Sequence, residues 1–76
     1  MKTGQVLVLT GKTRHGKNRV REQGDLWRVV RIAPALPHGP FPAGTEVAEI
    51  ETLDGKHWRF ITTKNDEDFD FFLKKQ

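Results

Sequence analysis

Between Gly11 and Arg21 the chain sets Lys12, Arg14, Lys17, Arg19 and Arg21 around His15, and no acid precedes Glu22. Unopposed cations at this density suit the phosphates of a polyanion. The competing reading is a solvated segment kept soluble by its charge. Residues 1 to 32 hold eight Lys or Arg against two acids, and residues 33 to 76 hold five against eight. A charge distribution of this kind suggests one face for a polyanion and one turned away from it. Trp27 follows the cations closely. Exposed, its ring would be a stacking platform for a single-stranded base; buried, it would fill a thin core with Arg19 laid across it.

The same stretch reads Gly11-Lys-Thr-Arg-His-Gly16-Lys17, most of a phosphate loop, and it follows a strand-like run. The hydroxyl residue that should come next and hold magnesium is Asn18. The segment beyond it reads as a strand, so no helix N-terminus is expected to face a phosphate. Seventy-six residues also leave no room for the parallel sheet that nucleotide hydrolysis needs.

Other catalytic chemistry finds few carriers. The chain has no Cys and no Tyr, and no Ser occurs in it, so the usual nucleophiles reduce to Thr and Lys without an identifiable base. His15, His38 and His57 lack metal-ligand spacing, and no metal or other cofactor is expected. Asp66, Glu67 and Asp68 are consecutive, as at a helix start. A non-enzymatic protein is the expectation.

The elements that would position the cations are short. Gln5 to Thr10 is an apolar run too short for a helix and bounded by glycines, hence a strand. Asn18 to Glu22 and Asp25 to Ile32 read as a hairpin around Gln23-Gly24, which would oppose Trp27 to Arg19. Ala33 to Gly44 holds all four prolines and reads as a stiff extended loop. Thr45 to Leu53 and Lys56 to Thr62 read as a hairpin turning at Asp54-Gly55. Of its two registers, we favour the one opposing Ile50 to Trp58 and Ala48 to Phe60. It sets Glu49 against Arg59 and Glu51 against His57 and makes Trp58 a core residue. Asn65 to Lys75 reads as one helix: Asn65 caps it, acids occupy its first turn, and Phe69, Phe72 and Leu73 share a face. Five short strands and one C-terminal helix suggest a small SH3-like antiparallel β-barrel in a single domain, with closure removing the exposed edges.

Val6 to Val20 resembles the KOW motif of ribosomal proteins and NusG-type transcription elongation factors. Val6 and Val8 match its first strand, Gly11 its first glycine, Arg14 its basic position and Val20 its second strand. His15 stands where a glycine is usual and Asn18 at the last glycine. The chain also looks like small proteins of phages and prophages. The KOW resemblance implies a contact with RNA, a ribosome or a polymerase through Lys12, Arg14 and Lys17.

No run is long enough to cross a bilayer and the first residues lack a signal-peptide core, so a cytoplasmic protein without a membrane partner is expected. The functional expectation is a nucleic-acid-binding module, for RNA or DNA, using Lys12, Arg14, His15, Lys17, Arg19, Arg21 and Trp27. The alternative is a protein-interaction module that docks on a larger assembly. Stacking requires Trp27 exposed; docking requires Phe41 or Phe71 exposed.

Overall fold

A computed structural model describes residues 1–74. The chain forms five strands and one helix in the order β1 (Val6–Gly11), α1 (Arg14–Gln23), β2 (Leu26–Pro34), β3 (Glu46–Thr52), β4 (Trp58–Thr62) and β5 (Phe69–Leu73). The strands make one antiparallel sheet ordered β4-β3-β2-β1-β5. The mainly β architecture agrees with expectation, but β4 and β5 are the ends of an open sheet. It is not closed into a barrel. No helix among the described residues is long and apolar enough to cross a membrane.

The largest correction concerns residues 14 to 23. They form neither a basic loop nor half of a hairpin, but α1. Thr13 caps the helix, its Oγ1 accepting from the Gly16 amide at 3.1 Å. Arg, Lys, Glu and Gln then propagate it. Gly24 ends it at φ 95°, donating its N–H to the Val20 carbonyl. The apolar periodicity that would betray a helix is missing because the packed face is made by Gly16, Arg19, Val20 and Gln23. Val20 therefore lies in a helix, where a second strand was expected.

The second correction is at the C-terminus. Asn65 does not cap a helix; it sits in the left-handed region at φ 51°, and a turn leads into β5. In Phe-Asp-Phe-Phe-Leu the alternation of two wins over the helical spacing. Phe69 is buried, Asp70 exposed, Phe71 half-buried and Phe72 exposed. β5 pairs with β1, setting Gly11 against Phe69 and Leu9 against Phe71. Lys75, expected near the end of that helix, lies outside the described residues.

The third is the β3–β4 register. Glu51 opposes Trp58, Glu49 opposes Phe60 and Ile50 opposes Arg59. One face then presents Ala48, Ile50, Thr52 and Ile61 to the core. Trp58 goes to the other face, 65% exposed, instead of into the core. The turn explains the choice. Asp54 Oδ1 accepts from Thr52 Oγ1 at 2.6 Å and from the Lys56 amide, while the Thr52 amide donates to the His57 carbonyl. That four-residue turn keeps Thr52 facing inward. The proline loop stands as expected, although Ala33 and Pro34 still pair with β3.

Leu7, Leu9, Trp27, Val29, Ala48, Ile50, Ile61 and Phe69 form the core on the inner side of the sheet, with Val20 of α1 packed against it. Helix α1 lies along β1.

Candidate nucleic-acid interface

The cations of residues 12 to 21 do not form one set. At 100° per residue, Arg14, Lys17, Asn18 and Arg21 fall on one stripe of α1, opposite Gly16, Val20 and Gln23. All four are exposed, and Arg14, Lys17 and Arg21 enter no ion pair among the described residues. Arg14 and Arg21 are seven residues apart, about 10 Å along the axis. His15 is exposed on the flank. Lys12 and Arg19 are turned to the chain itself. Lys12 Nζ donates to the Asp66 carbonyl at 2.8 Å and lies 3.6 Å from the Asp70 carboxylate. Arg19 bonds Glu22 one turn on, at 2.9 Å. Trp27 is 1% exposed, between Leu7 on β1 and Thr52 on β3, and its Nε1 donates to the Gly24 carbonyl at 3.0 Å. Buried there, it offers no face on which a base could stack.

A strand, Gly11 and a helix N-terminus do follow one another, contrary to the strand expected after Lys17. The N-terminus nevertheless is not open to a phosphate. Thr13 Oγ1 donates to Asp68 Oδ1 at 2.7 Å, and the Lys12 amide donates to the Asp68 carbonyl at 2.7 Å. A carboxylate of the chain already stands beside the positive end of the dipole, where it is favourable. The two glycines of the motif serve packing. A Cβ on Gly11 would lie 2.2 Å from the Lys17 nitrogen, and one on Gly16 would lie 2.1 Å from the Asp68 carbonyl oxygen. Their spacing lets helix, strand and the 66–68 segment meet backbone to backbone.

That segment is held by Asp66, which is 8% exposed. Its Oδ1 accepts from the Thr62 amide, and its Oδ2 accepts from the amides of Asp68 and Phe69. Asp66 and Asp68 thus organise the turn that supports α1, not a helix start.

Sequence reasoning missed Asn18 as a member of the exposed stripe, and it placed Arg59 opposite Glu49 on the outer face, where the structure pairs it with Ile50. The Arg59 guanidinium lies 4.4 Å from the Phe69 ring centre, and its Nη1 is buried without a hydrogen-bond partner. Desolvation, and then the charge of Arg19, push its pKa down. The signal for Arg59 was its place opposite Ile50 in the register that we did not favour. The outer side of the sheet was also missed. There Trp58 and Phe60 meet edge to face at 5.5 Å, beside a groove walled by Leu36, Pro40, Phe41 and Val47. Phe41 and Phe71, expected exposed for docking, are each half-buried. Two ion pairs, Arg28–Glu51 at 3.9 Å and Arg31–Glu49 at 3.4 Å, cross the middle of this face. Compared with known proteins, the chain matches no family model, no curated protein and no solved structure.

Proposed function

We propose that the protein is a non-enzymatic nucleic-acid-binding module whose contact is the solvent face of α1. The observation that carries this reading is the stripe Arg14, Lys17 and Arg21: exposed, on one face of a helix, and unpaired with any acid among the described residues. Solubility needs no such alignment, whereas phosphates along a strand are met by cations along a line. Lys12 and Arg19 support the helix and contribute less, because each would first have to leave a partner of its own.

The alternative, a protein-docking module, has its own observation in Trp58 and Phe60 on the outer sheet face. The centre of that face is electrically balanced by its two Arg–Glu pairs and provides no charge to select a partner. The helix stripe does, and we rank it first.

A titration of mixed-sequence nucleic acid by fluorescence anisotropy at three salt concentrations tests the reading. Wild type binds weakly, with log affinity falling steeply against log salt. Changing Arg14, Lys17 and Arg21 together to Ala lowers affinity and flattens the slope by about 2 to 3 units. Lys12→Ala changes the slope by less than any one of the three. Absence of wild-type binding at low salt, or a triple variant with an unchanged slope, would remove this function and make the docking face the better lead.

A further inference from the structure

We propose that α1 enters the major groove of duplex DNA and that Asn18 reads a base edge there. This rests on the phosphate-binding reading of the same helix and goes beyond it by naming the polymer, the groove and the residue that carries sequence preference.

The stripe is not uniformly basic. Asn18, exposed, stands between Arg14 one turn before it and Arg21 nearly one turn after it, with Lys17 alongside. The cations match phosphates on the groove walls. The neutral amide of Asn18 carries a donor and an acceptor on one planar group, the pair that matches N6 and N7 of adenine in the major groove. Glu22, an acid one turn beyond Asn18 at the edge of the stripe, is held by the Arg19 guanidinium at 2.9 Å, which offsets its charge toward the duplex.

The dimensions agree. Ten residues make a rod about 15 Å long and about 10 to 12 Å across, and the major groove of B-form DNA is about 12 Å wide. The major groove of A-form RNA is too narrow for side chains to read. Access agrees as well. Helix α1 lies along β1, next to the β5 end of the sheet, and meets it through Gly16, so its far side faces solvent along the whole stripe. The close backbone contact at Gly11 and Gly16 fixes the helix axis, which gives the Asn18 amide the definite position that base readout demands.

The test is selection from a randomised DNA duplex pool with the full chain, followed by anisotropy on the selected duplex, a scrambled duplex, the single strands and an RNA duplex of the same sequence. Wild type enriches a short motif containing a fixed adenine and prefers it to the scrambled duplex and to both other polymers. Asn18→Ala binds selected and scrambled duplexes alike, losing a preference of about 5- to 150-fold, while its salt slope stays that of wild type. If no motif is enriched, if Asn18→Ala keeps the preference, or if single strands or duplex RNA bind as tightly, the groove assignment is wrong while phosphate binding stands. If the Arg14, Lys17 and Arg21 variant binds every polymer as wild type does, both readings fall.

Discussion

Replacing Gly16 by Ala should lower stability, although glycine inside a helix ordinarily costs stability relative to alanine. In an exposed helix the exchange gains about 1 kcal/mol. Here the new Cβ would lie 2.1 Å from the Asp68 carbonyl oxygen. A carbon and an oxygen need more than 3 Å, so α1 or the 66–68 segment must retreat by about 1 Å. Overpacking of this kind costs roughly 1 to 3 kcal/mol. The retreat also strains the bond from the Lys12 amide to that same carbonyl and the bond from Thr13 Oγ1 to Asp68. Each is worth about 1 kcal/mol or more. The net expectation is a loss of about 1 to 4 kcal/mol. A chain this small has a total stability of about 4 to 11 kcal/mol, so the melting temperature should fall by at least about 5 °C. Asn18→Ala, on the solvent face of the same helix, is the control, with an expected rise of a few degrees at most. Both are read by circular dichroism melts and urea titration. A Gly16→Ala variant that melts with or above wild type would refute the close backbone contact and, with it, the fixed axis of α1.

Three other outcomes follow from the same structure. A chain ending at Thr63 loses β5, Phe69 and all the bonds made by Asp66, and should show no cooperative melt, because burial of Phe69 alone is worth about 1.5 to 3 kcal/mol; a melt like that of the full chain would make β5 an appendage. The hydrogen bonds from Thr52 Oγ1 and the Lys56 amide hold the Asp54 carboxyl below the usual carboxylate range. Its support of the turn is therefore present above that range and lost as pH falls through its lowered value, so Asp54→Asn should flatten the acid limb of a stability-against-pH curve, and an unchanged limb would count against the turn. Acrylamide should quench Trp58→Phe weakly and Trp27→Phe strongly, since Trp27 is buried and Trp58 is 65% exposed; equal quenching would contradict the β3–β4 register.

The sequence announced the strands well and the helix badly, for a single reason. Strands β1 to β4 carry their apolar residues as runs or alternations that neighbours can only bury. Helix α1 docks through a glycine, an arginine, one valine and a glutamine, so it has almost no apolar stripe to read. The signals that remained, Thr13 before the run and Gly24 after it, were those of a capped helix. At the C-terminus the opposite happened. Three phenylalanines and a leucine in five residues satisfy both a spacing of three to four and an alternation of two. The choice is made by pairing: β1 has a free edge that β5 fills, and no local signal reports that vacancy. At β3–β4 the register is set by the hydrogen bonds of the turn and not by cross-strand side-chain pairs alone. Facing Trp58 to Ile50 pairs apolar groups well, but it shortens the turn by one residue and gives up the bonds between Thr52 and His57 that close it.

The candidate site was legible as composition and not as geometry. Lys12 and Arg19 look equivalent to Arg14, Lys17 and Arg21 along the chain, and only the helix separates them. A residue two places before Arg14 reaches back over the 66–70 segment, and one at the flank meets Glu22. What is left over is three cations and an asparagine on one line. The acids of the second half also acquire a use that the charge count hid. Asp66 knits Thr62, Asp68 and Phe69 together through their backbone amides, and Asp68 stands at the start of α1. The negative half of the chain thus anchors the N-terminal end of the helix from beneath and leaves the positive face outward. Polarity along the sequence becomes polarity across one helix, and it is the second that a phosphate backbone can meet.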